Sequence, residues 1–122
     1  MDYLDLVSLR RVAGGVRGRE PLRRRPVDNW TLERWRGLDC LVVLRELADH
    51  LKQDKTFVPR EYLQATRWHV VAAGVDFELL CTGPRFFDTG AVHGGGGAID
   101  MVMHLFRVDF KHAVALLRDK GL

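Results

Sequence analysis

At 122 residues, with a net charge of +3, 47% hydrophobic and 29% charged residues, the chain has the composition of one modest globular domain and is too short for two ordinary ones. No apolar run approaches the roughly 20 residues of a membrane span, and the acidic opening with Asp2 and Asp5 lacks the basic and apolar regions of a secretory signal, so a cytoplasmic protein is predicted. Two cysteines, Cys40 and Cys81, are too few for a disulfide framework and read as buried small hydrophobes.

The charge is unevenly placed. Within residues 1–25, Arg10, Arg11, Arg17, Arg19, Arg23, Arg24 and Arg25 face three acids, which leaves the remainder of the chain slightly negative. Gly14, Gly15, Gly18, Pro21 and Pro26 interrupt any helix there, so residues 1–27 are expected to form a loose basic arm and residues 28–122 the folded domain. Seven arginines without a lysine suit forked contacts to phosphates; a solvated tail that aids solubility is the plainer alternative.

Beyond Pro26, Asp28, Asn29 or Thr31 is placed to cap a short helix through Trp35, which Gly37 ends. Leu38, Leu41, Val42, Leu44, Leu47, Ala48 and Leu51 predict a core helix, followed by a polar link at 52–55 and a short strand at 56–58. Two strands follow, at 67–73 and 75–81, turning at Gly74-Val75 or Gly74-Val75-Asp76. The second alternates Val75, Phe77, Leu79 and Cys81 against Asp76, Glu78 and Leu80, as a half-buried strand does. Arg85, Phe86 and Phe87 return as a third strand after Thr82-Gly83-Pro84. The four glycines Gly94 to Gly97 then read as a turn into a helix whose free N–H groups can meet an anion, or as a flexible connection only. Ile99, Val102, Met103 and Phe106 mark that helix; Asp109 caps a second, with Phe110, Ala113, Val114 and Leu117 on one face. The fold class is α+β, a small antiparallel sheet covered on one face by a helical hairpin and an N-terminal helix. His104 and His112 fall on the hairpin and are expected to be partly exposed, and His50 near a helix end.

The stretch Gly97-Ala98-Ile99-Asp100-Met101-Val102-Met103, with Asp109-Phe110-Lys111-His112-Ala113-Val114-Ala115-Leu116-Leu117 behind it, resembles the C-terminal half of the zinc-binding domain of bacterial and phage DNA primases. The resemblance spans about residues 67 to 118. It implies a zinc-ribbon-like sheet with helices that grips template DNA. Those domains hold zinc with a Cys-x-x-His and a Cys-x-x-Cys pair, and this chain has neither, so the resemblance is to a degenerate, metal-free form like those of replication proteins on mobile elements. No metal or other cofactor is expected; His69, Cys81 and His93 are too scattered to form a tetrahedral site.

No catalytic residues are expected either. The chain has no Asp-x-Asp cluster, no Gly-x-Ser-x-Gly elbow and no Gly-Lys-Ser or Gly-Lys-Thr phosphate loop. The favoured function is a non-enzymatic module that binds DNA, single-stranded by preference, with Trp68 and Phe87 (or Phe86) stacking bases. Arg67, Arg85 and the arm arginines would hold phosphates, and the amides of Gly95 and Gly96 would add backbone contacts. The alternative is an adaptor that docks a polymerase, primase or helicase through an exposed sheet edge or the segment of Trp30 and Trp35. A hydrolase or nuclease built on His69, His93 and nearby acids is a third class.

Overall fold

The computed structural model describes residues 26–61 and 63–122. Asp28 starts the first helix by accepting the N–H of Thr31 at 2.7 Å, and α1 runs over Asn29–Arg36 to Gly37. Asp39 repeats the device for α2, Cys40–Leu47. This second helix is shorter than its apolar stripe predicts. Ala48 turns extended, and His50–Gln53 forms strand β1 with Leu51 opposite Val70. Leu47 and Leu51 would share a helix face, but pairing with the next strand satisfies the backbone of residues 50–53 and still brings Leu51 against the core. His50 accordingly lies on a strand. The strand predicted at 56–58 does not form. Asp54 instead accepts both the N–H and the hydroxyl of Thr56, which bends the chain there.

Strands β2 (Thr66–Ala72), β3 (Val75–Thr82), β4 (Arg85–Asp88) and β5 (His93–Gly96) join β1 in one antiparallel sheet whose spatial order follows the chain. The β2–β3 turn is Ala73-Gly74, one residue earlier than predicted. Both take positive φ, 52° and 78°, and that backbone matches the twist of the flanking strands. The glycine run is the larger departure, since Gly94 to Gly96 form an edge strand and only Gly97 caps the helix that follows. A Cβ on Gly95 would lie 3.0 Å from Phe86 Cζ and 3.1 Å from Asp100 Cβ, and one on Gly97 would lie 3.0 Å from Arg36 Cα. Close packing accounts for these two glycines, with φ of +92° as a further demand at Gly97.

Helix α3 (Ala98–Phe106) packs against α1, α2, β5 and α4 (Phe110–Asp119), which Asp109 caps through the N–H of His112. The core lies between the helices and the inner sheet face, where Val70, Ala72, Phe77, Leu79, Cys81 and Phe86 meet Leu44, Met101, Val102, Leu105 and Leu117. The fold is α+β. Among the described residues no helix is long and apolar enough to cross a membrane.

Candidate nucleic-acid interface

Strand parity divides the functional candidates. Residues directly opposite in an antiparallel pair point to the same side, so Arg67, Leu80, Phe87 and Gly94 form one row across the outer face, away from the helices of the described residues. Arg85 and Gly96 stand together in a neighbouring row. Phe87 is 40% exposed. Gly94 makes room for its ring, since a Cβ there would lie 3.1 Å from Phe87 Cδ1, and a Cβ on Gly96 would lie 3.7 Å from Arg85 Cγ. An aromatic ring and a guanidinium stem thus flank a strand that has almost no side chains of its own.

Charges on the other half of that face are largely cancelled. Arg67 donates through Nε to Glu78 at 2.8 Å and approaches Asp54 at 3.8 Å. His69 lies 3.7 Å from Asp76 and 3.9 Å from Glu78, with the His50 ring edge-on to it. Arg85 has no carboxylate partner among the described residues. Its charge is therefore open to a ligand.

Several predicted site residues fall elsewhere. Trp68 lies opposite Leu79 on the inner face, partly buried, with its indole N–H donated to Thr66 Oγ1 at 2.7 Å, so it does not stand beside Phe87. Phe86 is 4% exposed and belongs to the core. Gly95 packs against Phe86, while the amide of Gly96 donates to Asp100 at 3.0 Å and that of Gly97 to the Pro84 carbonyl at 2.9 Å. The chain's own acceptors thus occupy the amide of Gly96, expected to meet an anion, and that of Gly97. Arg10, Arg11, Arg17, Arg19, Arg23, Arg24 and Arg25 lie outside the described residues.

One polar pair escaped the sequence reading. Asp88, at the end of β4, accepts the N–H of Gly90 at 2.9 Å and of Ala91 at 3.0 Å with one oxygen, and meets His104 Nε2 at 2.7 Å with the other. His93 stacks on His104 at 5.1 Å between ring centroids, and the rings of Phe77 and Phe86 close around it. His104 is half-buried, in line with its expected partial exposure, and its side chain is only 8% exposed; its position three residues after the buried Met101 on the same helix accounts for that. Burial pushes the Asp88 carboxyl up, but the Ala91 N–H, the His104 imidazole and the Gly90 N–H together outweigh it and hold the group below its ordinary range.

The residues do not fit the zinc of the primase domains. Asp88 already accepts three hydrogen bonds, His93 and His104 lie in near-parallel planes so that their ring nitrogens do not converge, and His69 is on the opposite sheet face from His93 and Cys81. Among the described residues no group of three or more His, Cys, Asp or Glu is placed to hold a metal ion.

Over 44 residues the chain is 41% identical to a "65 kDa protein" of Zymomonas mobilis subsp. mobilis. The matched stretch covers 36% of this chain and 8% of that protein. No known protein family matches the chain. No solved structure matches it either.

Proposed function

We propose that this chain is a nucleic-acid-binding module that holds single-stranded DNA for a separate primase or polymerase and has no catalysis of its own. The supporting observation is Phe87, a 40% exposed aromatic on the sheet face away from the helices, set against a glycine strand beside Arg85, which has no carboxylate partner among the described residues. Base stacking on such a ring contributes roughly 1–3 kcal/mol and tolerates any sequence, and a bare strand lets a sugar–phosphate backbone come close. The arm arginines supply phosphate contacts in number. The replication setting, and with it a cytoplasmic location, rests on the resemblance of residues 97–117 to the primase domain.

Anisotropy of a labelled single-stranded oligonucleotide, titrated with the full chain at several salt concentrations, tests this reading. Affinity is expected to fall steeply with salt, and replacing the seven arm arginines should flatten the log–log slope by about 5, at about 0.7 per single-strand phosphate contact. Phe87→Ala should weaken binding with little effect on that slope. Absence of binding at low salt would sink the proposal. A second reading would then lead: Trp30 is 71% exposed with the Arg34 guanidinium 5.4 Å from its ring centroid, an anchor suited to docking a replication enzyme.

A further inference from the structure

Three described non-glycine residues hold a left-handed backbone: Ala73, Val92 and Arg107, with φ of 52°, 53° and 56°. Ala73 shares the tight β2–β3 turn with Gly74, and Arg107 ends α3, where the left-handed region is common. Val92 is the odd member. It closes the turn between β4 and β5, at a position where glycine or asparagine ordinarily meets such a demand, and its branched Cβ makes the conformation costly. Packing offsets little of that cost, since Val92 is 75% exposed.

The turn itself is firmly held. Asp88 Oδ1 accepts the N–H groups of Gly90 and Ala91, and Thr89 donates its N–H to the Glu78 carbonyl at 3.3 Å. Asp88 before the turn and His93 after it both lie against His104, the first through a hydrogen bond and the second through ring stacking. The surrounding hairpin therefore imposes the strain on Val92. An apolar side chain kept exposed in a strained position points to a contact made outside the chain.

The hairpin lines that contact up with the candidate interface. Arg85 lies opposite Gly96, Phe87 opposite Gly94 and Asp88 opposite His93, so Arg85, Phe87 and Val92 follow one another along β4 and β5 toward the turn. Val92 is two residues from Gly94, at most about 7 Å, and the Phe87 ring lies against Gly94. A nucleic-acid strand with a phosphate on Arg85 and a base on Phe87 runs on toward Val92. We propose that Val92 is a further contact residue, an apolar prop for the nucleobase that follows the one on Phe87. The inference rests on the nucleic-acid reading above. It adds a second base position, held by apolar contact in the manner of the side chains that other DNA-binding proteins set against base steps.

Substitutions of Val92 in the full chain separate this role from a structural one. Val92→Asn and Val92→Gly both suit a left-handed backbone, so neither should lower the urea midpoint. Each should nevertheless weaken binding of a labelled single-stranded oligonucleotide by roughly 10-fold, the equivalent of one buried valine side chain, without changing the salt slope. Val92→Leu keeps an apolar contact and should bind like the parent. In the unmodified protein, the NMR signals of the Val92 methyls should shift on addition of the same oligonucleotide, through the ring current of the base against them. Parent-like affinity in both polar and glycine variants, unshifted methyl signals, or a lower urea midpoint in both variants overturns the Val92 contact and leaves the interface standing. No binding of the oligonucleotide at low salt overturns both.

Discussion

Asp88 on β4 and His104 on α3 meet at 2.7 Å with side chains only 6% and 8% exposed, tying the strand before the glycine edge to the helix after it. Removing either partner leaves a buried polar group unmatched. Asp88→Ala is expected to cost about 3 kcal/mol and to lower Tm by at least about 10 °C. Asp88→Asn, which keeps an acceptor for the Gly90 and Ala91 amides, should lose less. Calorimetry and urea denaturation measure both, and a double-mutant cycle with His104→Leu should show strong non-additivity.

Acid stability should follow from the same carboxylate. Its folded pKa lies below the ordinary value of 3.8, so the ionised form is favoured by folding. That contribution is complete above the unfolded pKa and is lost as pH falls through the folded one. The urea midpoint should therefore decline below about pH 4. Asp28, Asp54 and Asp109 act with the same sign, through hydrogen bonds from Thr31, Thr56 and His112 respectively. Comparison with Asp88→Asn isolates the Asp88 share, and an unchanged acid slope in that variant would refute its role.

Alanine substitutions should separate the glycines by their surroundings. Gly97→Ala combines a left-handed backbone with a contact of 3.0 Å to the Arg36 Cα, and a loss of about 2–4 kcal/mol is expected. Gly95→Ala meets Phe86 and Asp100 and should also destabilise, by about 1–3 kcal/mol. Gly90→Ala, with only Asp88 Oδ1 at 3.5 Å, should stay within about 1 kcal/mol of the parent in urea melts.

Neighbouring phenylalanines should divide stability from binding. Phe86→Ala empties a core position and should cost about 3–5 kcal/mol. Phe87→Ala removes a half-open ring and should change the melting curve little while weakening oligonucleotide binding about 5- to 150-fold. Equal melting losses in the two variants would contradict the assignment of faces.

Features encoded within a few residues of one another were legible in the chain. Asp28 and Asp109 cap helices, Gly37 ends one, the alternation of Phe77, Leu79 and Cys81 marks a strand, and the periodicities of α3 and α4 mark a helical hairpin. Each rests on a local hydrogen bond or a repeat along one element, so no distant partner is needed to recognise it. Tertiary structure alone decided whether Leu51 extended a helix or paired with Val70, since its spacing suited both. It also made the glycine run a strand, through pairing of Gly94 to Gly96 with β4 and the packing of Phe86 and Asp100 on Gly95. The docking of α3 likewise decided that Phe86 is covered and Phe87 open, that Trp68 lies on the far side from Phe87, and that His104 is sealed against Asp88. Alternation along a strand shows that two faces differ, but which face is buried depends on elements far away in the chain.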